Sequence, residues 1–206
     1  MTERHSFPEA PLCLTGQHVQ LVPLSLSHEE GLREAVQDGE PWKLWYTAVP
    51  RPDEMRDEIT RRLDLQKSGS MLPYTVLSLP ERRIVGMTAF MSIDHTGPRV
   101  EIGSTWYAAS VQRTALNTEA KMLLLSCAFE TLDCLAVEFR THFLNQRSRR
   151  AIERLGAKLD GILRSHRRLA NGTVRDTCVY SVTAVEWPAV RTHLNWCLTE
   201  KYQTQK

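Results

Sequence analysis

Apolar and polar positions along this chain sort into short, well-separated elements. Val19-Gln20-Leu21-Val22-Pro23-Leu24 alternates like an edge strand, and Pro23 is tolerable near a sheet edge. The first fifteen residues, carrying Pro8 and Pro11, read as an extended leader. Ser27 opens a predicted helix, SHEEGLREAVQD, with Glu30 three residues on as a capping box. An aromatic loop spans Pro41 to Pro52. A second helix, laced with Glu and Arg, runs from Pro52-Asp53 to about Lys67. Three strands follow: Tyr74 to Leu79, Arg83 to Ile93 and Val100 to Tyr107. Their turns, Pro80-Glu81-Arg82 and His95-Thr96-Gly97-Pro98, are short enough to imply antiparallel neighbours.

The pattern changes after Tyr107. A polar loop, Ser110 to Asn117, leads into a long apolar segment beginning Thr118-Glu119-Ala120, predicted as a helix from about Asn117 to Leu132. Leu135 to Thr141 reads as a strand and Ser148 to Leu155 as a helix stopped by Gly156. Ile162 to Leu169 and Arg175 to Thr183 form a hairpin turned at Asn171-Gly172. In the segment Glu186 to Thr199, Trp187, Val190, Leu194 and Cys197 share one helical face, which either packs on the core or makes the contact of a homodimer. No repeat or linker interrupts this outline, so residues 1–206 are expected to form a single mixed α/β (α+β) domain. Its core would cover about 15–183, with a helical extension over 186–200.

Composition narrows the function classes. The chain has 206 residues, 42% hydrophobic and 24% charged, with a net charge of +2. Nothing in that balance calls for nucleic acid or an anionic membrane as partner. No apolar run approaches about 18 residues and the N-terminus lacks an apolar signal core, so a cytoplasmic protein is expected. Cys13, Cys127, Cys134, Cys178 and Cys197 are scattered with no CxxC pair, which favours reduced, mostly buried thiols. The seven histidines form neither HxxxH nor HExxH, and no metal site is expected.

Candidate chemistry lies at the strand–loop–helix junction from Val100 onward. A loop ending at a fresh helix N-terminus presents unpaired backbone N–H groups and a partial positive charge, which together suit a phosphate or pyrophosphate. A second strand–loop–helix unit follows through Asn145-Gln146-Arg147-Ser148-Arg149-Arg150.

These pieces occur in the order EIG…W…QRTALNTEA…AFETL…N-x-x-S…AIERLGA…G-x-L-R…G-x-x-R-D-x-x-V-Y-S. That order resembles the GNAT superfamily of acetyl-CoA-dependent N-acetyltransferases, and more narrowly the RimJ/RimL type, which acetylates protein N-terminal amines. The resemblance covers roughly residues 15 to 183. It implies a twisted, mainly antiparallel sheet flanked by helices, with two central strands splayed apart to admit the pantetheine arm of acetyl-CoA. The family's phosphate loop usually reads Q/R-x-x-G-x-G/A; here it is Gln112-Arg113-Thr114-Ala115-Leu116-Asn117, without either glycine. Glycine allows φ > 0 and close ligand approach, so this loop reads as a variant cradle.

Carried over residue by residue, the resemblance makes Ser104, Thr105, Trp106 and Tyr107 the strand that meets pantetheine and the thioester. Trp106 and Tyr107 equally suit ordinary strand packing. The N–H groups of Gln112, Arg113, Thr114, Ala115, Leu116, Asn117 and Thr118 would hold the pyrophosphate. Asn145 matches the family's pantetheine-binding Asn, and also suits a turn before a helix. Ser148 is either proton donor to the leaving thiolate or an N-cap. The Tyr that many relatives carry four positions later is Ile152 here. Arg149 or Arg150 would meet the CoA 3′-phosphate; Arg147 and the run Arg164 to Arg168 complete a basic cluster that otherwise reads as a solvated face or a ribosome or RNA contact. Glu101 is the candidate base, or else a carboxylate paired with Arg83, Arg140 or Arg175, and Asp176 is the alternative carboxylate. Trp42, Trp45 and Tyr46 would either cover a small-molecule or peptide amine or plug the fold.

The expected function is therefore acetyl transfer from acetyl-CoA to a primary amine by direct attack. The alternative is a catalytically silent acyl-CoA-binding regulatory module, motivated by the missing glycines and the missing Tyr.

Overall fold

The computed structural model describes residues 8, 11–94 and 96–201. Most of the expected leader, and His95 of an expected turn, lie outside the described residues. The strands are β1 (Leu14–Thr15), β2 (Val19–Pro23), β3 (Met71–Ser78), β4 (Arg83–Asp94), β5 (Arg99–Tyr107), β6 (Ala136–His142), β7 (Lys158–Arg168) and β8 (Val174–Thr183). The helices are α1 (Glu29–Gln37), α2 (Met55–Lys67), α3 (Ala115–Ser126), α4 (Gln146–Glu153) and α5 (Trp187–Trp196).

The strands form one sheet in the order β1-β2-β3-β4-β5-β6-β8-β7. All neighbours are antiparallel except β5 and β6, which run parallel. A parallel pair cannot be joined by a tight turn, and α3 supplies the crossover. The fold is thus mixed α/β, with helices flanking a mainly antiparallel sheet. α1 packs on β4, α2 on β3, and α3 on β1, β2 and α5. Buried positions lie on several sides of α3, among them Leu116, Ala120, Leu124 and Leu125, as expected of a helix held between a sheet and another helix.

Three expectations are corrected. The first helix is capped by Ser25, whose Oγ accepts the Ser27 N–H at 3.3 Å; Leu26–His28 form a 3-10 turn before α1 begins at Glu29. Ser25 has the extended backbone that a cap requires, whereas Ser27 is already inside the turn. The third helix begins at Ala115, two residues before the expected Asn117, and its last turn, Cys127–Thr131, widens into a π-helix. The fourth begins at Gln146 and not at Ser148.

The final helix packs inward. Trp187, Val190, Leu194 and Cys197 are all buried. Trp187 stacks on Phe129 with ring centroids 5.4 Å apart and donates from Nε1 to Glu130 at 2.9 Å. The face offered as a homodimer contact is therefore spent on the core. Of the five thiols, Cys13 is exposed and the other four are buried, and all are free.

Candidate active site

β5 and β6 pair at Arg99–Ala136, Val100–Val137 and Glu101–Glu138, and the pairing ends there. Beyond it, β6 continues against β8 as far as His142–Thr177, while β5 stays with β4 to Tyr107. The two central strands therefore open a wedge toward their C-terminal ends. A bulge shapes the β5 side: Ser104 is left-handed at φ 48°, between the pairs Met87–Trp106 and Ala89–Gly103. Gly103, Ser104 and Thr105 are the half-open positions of an otherwise buried strand.

Glu101 sits at the apex of the wedge and is 8% exposed. Its Oε2 lies 3.7 Å from Arg140 Nε and accepts from Ser92 Oγ at 3.3 Å. Of the three arginines considered as partners, Arg140 is thus the one in contact; Arg83 pairs with Glu81. Burial pushes the Glu101 carboxyl above its ordinary range, and the Arg140 charge and the Ser92 hydroxyl oppose that shift without cancelling it. Gly103 makes room for the carboxylate: a Cβ there would stand 2.9 Å from Glu101 Oε1. Asp176 is a structural carboxylate, accepting from Ser165 N at 2.7 Å and Arg164 Nε at 2.6 Å.

Where β5 ends, Ala109–Val111 make a 3-10 turn and α3 starts at Ala115. Thr114 is the N-cap, extended at φ −101° and ψ −179°, with Oγ1 accepting the Leu116 N–H at 3.3 Å. Ala115 and Asn117, where the family usually has Gly or Ala, are ordinary residues of the first helical turn. The left-handed residue is Arg113, at φ 66°. The missing glycines are accounted for by this geometry, because neither position needs φ > 0. The helix head lies at Ala115 and not near Thr118, and Thr118 is buried with its Oγ1 accepting from Arg154 at 2.8 Å. By helix geometry the first-turn N–H groups have no preceding carbonyl in the helix. Together with the wedge, that suits a diphosphate with an extended tail, so the residues present fit coenzyme A.

Asn145 is the N-cap of α4. Its Oδ1 accepts the Ser148 N–H at 3.0 Å, which gives Asn145 the capping role considered for Ser148. Arg147 reaches across from α4 to donate to Gln112 Oε1 in the loop before α3, which brings the two helix N-termini together. Arg149 donates from Nε to Tyr180 Oη at 2.9 Å and lies over the Phe143 ring, 5.0 Å from its centroid. Arg150 is exposed on the same helix. Ile152 is buried.

Trp106 and Tyr107 are core residues, and Trp106 Nε1 and Tyr107 Oη are buried without a hydrogen-bond partner among the described residues. Trp42 packs against the core. Trp45 and Tyr46 instead meet His142 at the end of β6, with ring centroids 5.3 Å and 5.9 Å away. The aromatic loop therefore divides: Trp42 plugs the fold, and Trp45 and Tyr46 frame the mouth of the wedge.

Four buried polar residues went unrecognised in the sequence. Arg62 of α2 is 2% exposed and donates to the Ser104 carbonyl at 3.1 Å, which pins the bulge. Glu119 of α3 accepts the N–H groups of Gln17, His18 and Val19 at 2.8, 2.7 and 2.9 Å, tying α3 to the β1–β2 turn. Lys121, buried in α3, donates to Thr88 and Thr105 Oγ1 at 3.2 and 3.0 Å, and burial lowers its ammonium to about 7. His142 ends β6. The spacing of Arg62, Glu119 and Lys121 is that of solvated helix charges, and only the tertiary contacts distinguish them.

Among the described residues, no helix is long and apolar enough to cross a membrane. None of their His, Cys, Asp and Glu side chains cluster in threes that could hold a metal ion.

The Acetyltransferase (GNAT) domain family matches residues 18–158. A GCN5-related N-acetyltransferase from Brucella melitensis superposes with a TM-score of 0.82 at 29% identity, covering 92% of this chain and 86% of its own. A structure described as an acetyltransferase from T. thermophilus gives 0.80 at 31%, covering 94% and 98%. A structure described as a ribosomal-protein-serine acetyltransferase from Vibrio cholerae gives 0.71 at 20%, covering 84% and 97%, and so shares the fold. No curated protein matches the chain. With its wedge, its capped helix end and this match over most of its length, the chain belongs to the GNAT acetyltransferase family.

Proposed function

We propose that this acyltransferase acetylates a primary amine by direct attack, with acetyl-CoA and the acceptor held together in the wedge. The observation that carries the reading is the parting of β5 and β6 at Glu101. It leaves a buried carboxyl of raised proton affinity beside a stretch of β5 whose edge toward β6 is unpaired.

Acetyl-CoA would supply a thioester-activated acetyl group. The backbone of Ser104 to Tyr107 and the side chain of Asn145 would hold its pantetheine arm. The first-turn N–H groups of α3 that the Thr114 cap leaves over, with the loop from Arg113, would hold the diphosphate, since Gln112 N–H already donates to the Ala109 carbonyl and Leu116 N–H to Thr114; Arg150 would take the 3′-phosphate, since Arg149 is already engaged with Tyr180. In the transfer, a C–N bond forms between the amine and the acetyl carbon as the C–S bond breaks. The ammonium loses one proton to Glu101, directly or through water, before attack; the nitrogen sheds a second proton as the amide forms, and that proton balances the one the departing thiolate takes from Ser148 or solvent. The raised affinity of Glu101 for protons suits that role better than an ordinary carboxylate.

Within the family, the RimJ/RimL-like reading and a protein N-terminus as acceptor draw support from the shared fold with the Vibrio cholerae ribosomal-protein-serine acetyltransferase. Thiol release from acetyl-CoA in the presence of a panel of peptide and small-molecule amines tests the proposal. Amine-dependent release that Glu101→Gln lowers by roughly 100-fold or more is the expected result. Tight acetyl-CoA binding with no turnover on any amine would instead point to the silent regulatory module.

A further inference from the structure

Part of the basic run from Arg164 to Arg168 shares a sheet face with Glu101. Antiparallel partners project to the same face. His142 pairs with Thr177, Arg140 with Val179 and Glu138 with Ser181, so these side chains lie together with Arg175, two residues before Thr177. Arg167 on β7 is the partner of Arg175 and joins them. Glu101, the partner of Glu138 and 3.7 Å from Arg140, belongs to the same face. The opposite face carries the helices of the proposed coenzyme site: α4 reaches Tyr180 there through Arg149 and Glu153, and α3 reaches Thr88 through Lys121. An amine that gives its proton to Glu101 therefore meets it from the arginine side.

Arg167 and Arg175 face each other across the β7–β8 ladder, where like charges repel. Neighbouring arginines have carboxylates: Arg99 and Arg140 pair with Glu138, and Arg164 pairs with Asp176. Among the described residues, neither Arg167 nor Arg175 forms an ion pair. Arg167 is exposed, whereas Arg175 is half-buried and donates from Nε to Thr177 Oγ1 at 2.9 Å. That bond turns the Arg175 side chain back along β8, toward the level of His142 and the apex of the wedge. His166 Nδ1 meets the same hydroxyl at 3.0 Å. The charges converge accordingly: that of Arg167 acts on Glu101, and that of Glu101 on Arg175. Two guanidiniums without a counter-charge cost the fold stability, and a ligand oxyanion between them would relieve the repulsion.

We infer that Arg167 and Arg175 hold a phosphate or carboxylate of the acceptor, so that the substrate is an amine carrying an oxyanion several bonds away. This rests on the acetyl-transfer reading and names a chemical class of acceptor for that same site. The strand register sets the separation. Arg175 stands four residues beyond Val179, the partner of Arg140, which is roughly 13 Å of strand. Arg175 reaching back to Thr177 and Glu101 reaching toward Arg140 shorten that gap. The oxyanion therefore belongs several bonds from the amine and not on the adjoining carbon. Arg167 and Arg175 bind the far end of the acceptor, and Glu101 keeps the role of base.

The test uses the full chain and acetyl-CoA at about 0.15 M salt, which screens non-specific attraction. The acceptors are 5-aminopentanoate, its neutral counterpart 5-aminopentanamide, and 3-aminopropyl phosphate. The readout is the kcat/KM of each anion divided by that of the amide, which cancels any effect of the arginines on Glu101. At least one ratio is expected to exceed about ten, and the larger of the two identifies the oxyanion. Arg167→Gln and Arg175→Gln should each lower it about tenfold. Arg175→Lys, which keeps the charge without the fork, should restore part of the loss. Arg164→Gln removes the same charge from the same strand and should leave the ratio unchanged. Ratios near one in the wild type, ratios that survive Arg167→Gln and Arg175→Gln, or an equal fall in Arg164→Gln overturn the inference. Absence of turnover with every amine overturns the acetyl-transfer reading instead. Calorimetry keeps the two failures separable. The two anions, titrated into CoA-saturated protein, should bind about tenfold more weakly to Arg167→Gln than to the wild type. Equal binding counts against the inference whatever the turnover.

Discussion

The Glu101 carboxylate lies 3.7 Å from the Arg140 guanidinium, at the point where β5 and β6 cease to pair. An arginine at that distance lowers the pKa of an exposed carboxyl, yet here burial outweighs it and Glu101 is raised. The pair is therefore a poor stabilising ion pair and a suitable proton acceptor.

Glu101→Gln should separate these two properties. Loss of the base is expected to lower kcat/KM by roughly 100-fold or more. The stability effect has the opposite sign. Folded Glu101 holds its proton more tightly than unfolded Glu101, so its contribution is fully present below the unfolded pKa and is lost as pH rises through the folded one. A permanently neutral Gln escapes that loss. Thermal melts near neutral pH should show the variant melting above the wild type, and a lower melting temperature would contradict this account.

Lys121 predicts a pH dependence elsewhere on the scale. Its folded pKa of about 7 lies below the ordinary 10.5, so between those values the unfolded chain binds a proton that the folded chain does not. Stability should rise with pH across that window, by up to about 1.4 kcal/mol per pH unit. Lys121→Met should flatten the rise and stabilise the protein at neutral pH, because Thr88 and Thr105 already pair with each other at 2.8 Å. Denaturant titrations at about pH 7 and about pH 9 measure the difference.

Glu119 anchors the helix whose N-terminus forms the proposed phosphate site. Glu119→Ala leaves three backbone N–H groups of the β1–β2 turn without their acceptor, and about 2–4 kcal/mol of stability should go with them. Gly16→Ala should act through the same contact, since a Cβ there would stand 2.4 Å from Glu119 Cδ. Equilibrium unfolding checks both.

The order of the elements was legible in the sequence because alternation, caps and turns report local structure. Strands β3 to β6 and the hairpin at Asn171-Gly172 fall within a few residues of their expected places. The wedge was legible through resemblance alone, since where two strands cease to pair depends on contacts across the sheet. The phosphate loop was misjudged by two residues, because Thr114 caps the helix and turns Ala115 and Asn117 into helical positions. His142 gave no signal, because its significance lies in Trp45 and Tyr46, nearly a hundred positions away in the chain.

That shift carries a consequence for the glycines. Restoring the family's usual residues should cost stability, about 0.5–1 kcal/mol for Ala115→Gly and about a few tenths of a kcal/mol for Asn117→Gly, because both positions are helical. No gain in acetyl-CoA affinity is expected; tighter binding in calorimetry would show that the present loop is a compromised cradle.

The central claim is that backbone N–H groups at the head of α3 hold the diphosphate of acetyl-CoA, and Ala115→Pro tests it at one atom. Proline is tolerated at the first helical position, and Thr114 already has the extended backbone that precedes it well. The substitution therefore removes a single donor while leaving the helix in place. Calorimetric titration with acetyl-CoA should show binding about tenfold weaker than wild type at an unchanged melting temperature. Equal affinity in the two proteins would contradict the claim.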